Sequence, residues 1–225
     1  YDGKKQVLRN ISFEVKPGQT VALVGQTGSG KSSIINVLMR FYEYHEGEIT
    51  IDGHSLKDMS IEGLRTKMGL VLQDSFLFYG NIADNIRMYN TSYTEEEVKQ
   101  AAEFVYADDF ISEMENGYAS KVIERGASLS AGEKQLISFA RTTLRSPRIL
   151  ILDEATANID TETEEKIQKG LANMRKGRTS LIIAHRLSTI KDADKILVLH
   201  NGEIVEQGSH DELIDQKGTF YDMYQ

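Results

Sequence analysis

The chain has 225 residues, 40% hydrophobic and 27% charged, which is ordinary for a globular protein with a sizeable core. A formal charge of −8 argues against a nonspecific nucleic-acid binder, which would be basic, so no nucleic-acid partner is expected. The absence of cysteine excludes a disulfide framework and a thiolate metal site and fits a reducing compartment.

No apolar run approaches the roughly 18 residues of a membrane span; ILIL (149–152) and LIIA (181–184) are typical of the longest. The polar opening YDGKKQ does not read as a signal peptide. A first residue Tyr1 in place of methionine is what a fragment or a processed product would show.

Along the chain, ISFEV (11–15) alternates apolar and polar residues as a strand does, and Lys16-Pro17-Gly18 follows as a turn. VALVG (21–25) is a continuous apolar run, the pattern of a strand buried on both faces. A glycine loop comes next, then helical periodicity over SSIINVLMRFY (32–42). GEITIDG (47–53) reads as an edge hairpin strand and KMGLVLQD (67–74) as another buried strand.

From about Asn81 to Arg145 the pattern becomes helical. Thr94 and Glu97 have capping-box spacing, and Ser146-Pro147 is a helix stop. RILILDEA (148–155) and TSLIIAH (179–185) read as buried strands, and KILVLHNGEIVEQG (195–208) as a hairpin turning on Asn201-Gly202. Between the two buried strands, Thr161 with Glu164 is expected to cap a further helix. The expected fold class is α/β: a mainly parallel core over residues 1–80 and 146–225, interrupted by a helical insert over 81–145.

GQTGSGKS, from Gly25 to Ser32, satisfies G-x-x-x-x-G-K-[ST] and lies between a buried strand and a helix, the context that makes the motif specific. Glycines are needed there because backbone N–H groups must turn inward around phosphates without side-chain obstruction. The expected nucleotide contacts are Gly25, Gln26, Thr27, Gly28, Ser29, Gly30, Lys31, Ser32 and Ser33. Lys31 would reach the β and γ phosphates, and the Ser32 hydroxyl would ligate Mg²⁺. Asp153 and Glu154 end a predicted buried strand, where open α/β sheets bind ligands. Asp153 suits the surroundings of Mg²⁺, and Glu154 could deprotonate an attacking water. SLSAGEKQLISFAR (128–141) is a second glycine-bearing helix start, which a single nucleotide site does not explain.

These residues together resemble the nucleotide-binding domain of an ATP-binding cassette (ABC) transporter of the exporter type, over almost the whole chain. GQTGSGKS matches the Walker A motif and ILILDE the Walker B motif with its catalytic glutamate, Glu154. Gln73 matches the Q-loop, LSAGE (129–133) stands where the family signature LSGGQ belongs, ANID (157–160) matches the D-loop and His185 the H-loop. Tyr1 resembles the aromatic that stacks on adenine, and Glu124, Arg125 and Gly126 the X-loop of exporters. Phe76, Phe78 and Tyr79 either line a groove for a coupling helix or belong to the core of the insert. His45, His54, His200 and His210 lie in turns or polar stretches and suggest no role, and the methionines read as core filler.

The resemblance implies a P-loop NTPase (RecA-like) core with an antiparallel β edge and the inserted helical subdomain. It implies ATP and Mg²⁺ as cofactors, with Ser32, Gln73 and Asp153 near the metal and Lys31, Glu154 and His185 catalytic. In the family two such domains sandwich two ATP molecules head to tail. Ser130, Gly132 and Asp160 would then serve the partner's nucleotide, which answers the second helix start. Loss of the γ phosphate would loosen the dimer, the two states differing in ligand contacts.

Ala131 and Glu133 depart from the signature, one adding a methyl in a crowded spot and the other negative charge near a triphosphate. An intact Glu154 beside an altered signature resembles one half of a heterodimeric exporter; a homodimer tolerating the variant is the alternative. The implied partners are a second such domain and the coupling helices of transmembrane domains, at the cytoplasmic face of the cell membrane. The runner-up is a soluble ABC ATPase of DNA repair, chromosome structure or translation, which the exporter-like X-loop disfavours. A cassette that binds without hydrolysing is opposed by Lys31, Asp153, Glu154 and His185.

Overall fold

A computed structural model describes residues 6–73, 75–123, 126–154 and 159–224. In chain order its first elements are β1 (Thr20–Val24), α1 (Lys31–Leu38), β2 (Thr50–Ile51), β3 (His54–Ser55), α2 (Ile61–Lys67) and β4 (Met68–Val71). There follow β5 (Gly80–Asn81), α3 (Ile82–Arg87), α4 (Glu95–Phe104), α5 (Asp108–Glu113), β6 (Lys121–Val122) and α6 (Ala131–Leu144). The last are β7 (Ile149–Asp153), α7 (Thr161–Arg175), β8 (Thr179–Ile183), α8 (Leu187–Lys191), β9 (Lys195–His200), β10 (Glu203–Gly208), α9 (His210–Gln216) and α10 (Thr219–Tyr224). The chain forms two compact units, one of Tyr1–Met68, Arg148–Glu154 and Thr179–Gln225, the other of Gly69–Pro147 and Ala155–Arg178.

In the first unit the strands run in the order β10-β9-β1-β8-β7, with β9, β1, β8 and β7 parallel and β10 antiparallel to β9. Val21, Ala22, Leu23 and Val24 are fully buried in the central strand, as an apolar run without alternation requires. The register aligns Leu23 with Ile183 and Ile183 with Asp153, so β1, β8 and β7 end level along one sheet edge. The predicted hairpin forms. Asn201 (φ 48) and Gly202 (φ 81) take the left-handed backbone that a tight two-residue turn demands.

Two strand expectations change. Residues 11–15 keep the expected alternation, with Ile11, Phe13 and Val15 half-buried and Ser12 and Glu14 exposed, yet form no strand. The pattern says which face each side chain takes; a strand also needs a hydrogen-bonded neighbour. Of residues 47–53, only Thr50 and Ile51 pair, with Ser55 and His54, so the antiparallel edge is shorter than expected.

The second unit is built on α6, whose Leu136, Ile137, Phe139 and Ala140 are buried. Helices α3, α4 and α7 all pack on it. Gly170 of α7 permits this: a Cβ there would stand 2.9 Å from the Val105 carbonyl oxygen and 3.4 Å from the Phe139 ring. Residues 69–73, 75–80 and 159–178 group with the helices of this unit. The Thr94–Glu97 capping box forms at α4. At α7 the cap is Asp160, not Thr161. Its Oδ1 accepts from the Thr163 N–H at 2.9 Å, and Thr161 is the first helical residue.

Candidate functional site

The loop after β1 needs its glycines for conformation and for space. Gly25 (φ 150), Gly28 (φ 83) and Gly30 (φ 111) all lie where side chains are strained. A Cβ on Gly25 would overlap the Leu199 carbonyl oxygen, and one on Gly30 would stand 3.0 Å from Leu8. Gly30 is the N-cap of α1 and, lacking a side chain, supplies no side-chain cap hydrogen bond. Ser32 is exposed at that turn. The Ser29 hydroxyl is buried without a hydrogen-bond partner among the described residues.

Lys31, 7% exposed, folds back over the loop: Nζ donates to the carbonyls of Gly25 at 2.5 Å and Gln26 at 3.1 Å. Burial pushes its pKa down, and the negative charge of Asp153 partly offsets this. The lysine and the strand-end aspartate are thus electrostatic neighbours in one unit. A helix N-terminus, an ammonium, a hydroxyl and a carboxylate are groups that could hold a triphosphate with its cation. Ser32 and Asp153 are hard oxygen donors of the kind Mg²⁺ takes, and Mg²⁺ needs few protein ligands when phosphates supply others. Among the described residues no group of three or more His, Asp or Glu side chains gathers as a metal site.

The level strand ends bring Glu154 and His185 to the same sheet edge. The Glu154 N–H donates to the Ile183 carbonyl at 3.1 Å, and the Ala184 N–H to the Leu23 carbonyl at 3.1 Å. The His185 ring is exposed. Glu154 is only 5% exposed, and both oxygens of its carboxylate accept hydrogen bonds. Oε2 accepts from the His185 N–H at 3.0 Å and the Arg186 N–H at 3.2 Å, while Oε1 accepts from the Thr189 hydroxyl.

The remaining expected residues belong to the second unit. Gln73 is exposed after β4. Ser130 caps α6, and with Glu133 it forms a complete capping box. The Ser130 N–H donates to Glu133 Oε2 at 2.7 Å, and the Glu133 N–H donates to Ser130 Oγ at 3.1 Å. Glu133 therefore has a structural use in this chain. Ala131 is exposed within the chain, so its methyl meets no crowding there. Gly132 is the crowded residue: a Cβ would overlap Thr163 Cγ2 and stand 3.2 Å from Ile159 Cγ2. Asp160 spends its carboxylate on the α7 cap, whose hydrogen bonds from Thr163 hold its pKa low. Phe76, Phe78 and Tyr79 are exposed, Tyr79 at 79%, so they are not core of the insert. Tyr1, Glu124, Arg125, Ala157 and Asn158 lie outside the described residues.

The sequence did not reveal several neighbours of the site. The Gly202 N–H of the β9–β10 turn donates to the Ser29 carbonyl at 2.9 Å, bracing the glycine loop from behind. Thr189 and the backbone at Arg186 hold Glu154. Tyr224, at the end of α10, has its pKa pushed up by burial and by the negative charge of Glu154. The Asn201-Gly202 turn signal was legible, but nothing in it indicated what the turn would touch.

A family model described as "ABC transporter" matches residues 8–157. The chain is 56% identical over its full length to exp8 of Streptococcus pneumoniae, named as an ABC transporter ATP-binding protein, and covers 38% of that protein. It is 53% identical, again over its full length, to YheH of Bacillus subtilis, covering 33% of it. That protein's name describes a multidrug resistance ABC transporter ATP-binding/permease protein. A solved structure of a bacterial Atm1-family ABC exporter with ATP bound matches all of the chain with a TM-score of 0.92 and 44% identity. The chain covers 39% of it. The chain thus spans between a third and two-fifths of the length of these relatives.

Proposed function

Because this chain belongs to the ABC transporter family, as the ATP-binding domain that hydrolyses ATP to power transport, we propose that it drives export of a substrate across a membrane. One observation carries the hydrolytic part: β1, β7 and β8 end level, setting the glycine loop, Asp153, Glu154 and His185 on one edge of one unit. The names of YheH and of the Atm1-family exporter support the transport part. They also favour export over a soluble role in DNA repair, chromosome structure or translation.

In this reading the loop from Gly25 to Ser33 wraps the phosphates with its backbone N–H groups, and Lys31 exchanges its two carbonyl partners for phosphate oxygens. Ser32 and Asp153 would hold Mg²⁺, which would supply charge neutralisation on the phosphate oxygens. Glu154 takes a proton from the attacking water as its oxygen bonds to the γ phosphorus. The bond from that phosphorus to the β–γ bridging oxygen breaks, leaving ADP and inorganic phosphate. His185 donates to the γ phosphate.

Ser130, Gly132 and Asp160 serve the nucleotide of a second such domain, and Ala131 with Glu133 favour a partner that is not identical. The exposed Phe76, Phe78 and Tyr79 receive a coupling helix of the transmembrane part. Among the described residues no helix is long and apolar enough to cross a membrane. The domain works at the cytoplasmic face. The test compares ATP binding and Mg-ATP hydrolysis in the wild type, Lys31→Ala and Glu154→Gln. Lys31→Ala should lose binding and Glu154→Gln should keep it while losing turnover; full turnover in Glu154→Gln overturns the general-base assignment.

A further inference from the structure

Both oxygens of the carboxylate read above as the general base already accept hydrogen bonds within the chain. Glu154 is 95% removed from solvent and its Oε2 accepts two backbone N–H groups, from His185 and Arg186. Its Oε1 accepts the hydroxyl of Thr189, itself only 2% exposed. These donors belong to a single short segment that begins at the end of β8 and opens α8. Arg186, the N-cap of α8, makes no side-chain cap hydrogen bond, and its own N–H donates to Glu154, the residue after β7. The negative charge of Glu154 is also felt by Tyr224 on α10, which raises that hydroxyl's pKa after burial has done so.

We propose that Thr189 is a positioning residue that latches Glu154 in an inward, non-reactive orientation, and that turnover requires this hydrogen bond to open. The inference rests on the reading of Glu154 as the general base. The two backbone donors come from the residue that carries the His185 ring and from its neighbour. Release of the carboxylate therefore frees the His185–Arg186 backbone as well, and base and histidine leave the resting arrangement together. Thr189 is the part of the latch that a side-chain substitution can remove, because the other donors are main-chain groups that any residue supplies.

The test uses Thr189→Val, which keeps the shape and removes the donor, and Thr189→Ser, which keeps the donor. Loss of one hydrogen bond that holds the resting state should raise kcat for Mg-ATP by about three- to tenfold with KM nearly unchanged. Thr189→Ser should behave as wild type. A kcat in Thr189→Val that is unchanged or lower overturns the latch. Hydrogen exchange of the His185 and Arg186 amides in the wild-type chain gives a readout that needs no variant. They should be protected without nucleotide and exchange faster with Mg²⁺ and a non-hydrolysable ATP analogue; equal protection in both overturns the latch. Turnover surviving in Glu154→Gln would instead defeat the general-base reading, whatever the amides show.

Discussion

The Gly202 N–H donates to the Ser29 carbonyl oxygen at 2.9 Å, tying the tip of the β9–β10 hairpin to the back of the glycine loop. Gly202 has φ 81, and a Cβ there would overlap the Val7 carbonyl oxygen. Gly202→Ala should therefore strain the turn and displace the brace. The expected loss is about 1–3 kcal/mol of stability, with weaker ATP binding. Thermal denaturation and ATP titration check both; tight ATP binding in a destabilised variant would show that the brace does not shape the loop.

Gly132 is explained within the chain by packing. Gly132→Ala should cost about 1–3 kcal/mol because its methyl meets Thr163 Cγ2. Thr163→Ser removes that methyl and should restore most of the loss in the double variant. Urea denaturation of the four proteins measures the coupling, and additive losses would mean that Thr163 is not the obstacle.

Glu133 separates capping from charge. Glu133→Ala breaks the capping box at α6 and should lower stability by about 0.5–2 kcal/mol. Glu133→Gln keeps an acceptor for the Ser130 N–H and removes the negative charge, so it should stay near wild-type stability. If that charge weakens a site completed in trans, Glu133→Gln in a Glu154→Gln background should form more dimer with Mg-ATP. Solution mass in ATP against ADP reads this directly.

Arg141 is a half-buried cation that bonds carbonyls: Nε donates to the Asn85 carbonyl at 2.9 Å and Nη1 to the Phe76 carbonyl at 3.2 Å. Burial pushes its pKa down from the usual guanidinium value. Asn85, fully buried, accepts the Phe78 N–H at 2.8 Å and donates to the Phe78 carbonyl at 2.9 Å. Arg141→Ala removes a charged donor from the part-buried Asn85 carbonyl and from the more exposed Phe76 carbonyl and should cost about 1–3 kcal/mol. Amide exchange should rise first over residues 76–81, the segment that presents the exposed aromatics. A uniform rise across the second unit would mean that Arg141 supports the whole unit and not this loop.

Sequence by itself determined whatever is decided within a few residues. The apolar run at 21–25 sits in a central strand, the Asn201-Gly202 turn closes a hairpin, and Thr94 and Ser130 cap their helices. These follow from side-chain periodicity, from the φ that glycine and asparagine tolerate, and from the reach of a short hydroxyl side chain. The spacing of G-x-x-x-x-G-K-[ST] belongs with them, because a phosphate loop is a local shape. Tertiary structure decided what those pieces meet. Thr189 binds a carboxylate 35 residues away, and Arg141 a carbonyl 56 residues away. Residues 11–15 found no strand neighbour despite a correct pattern, and α7 packed on α6 and joined the helical unit. A hydrogen bond between distant residues depends on the path of all the chain between them, and periodicity carries no record of that path. Glu154 was legible as a residue at the end of a strand; the orientation of its carboxylate was set by donors on another segment.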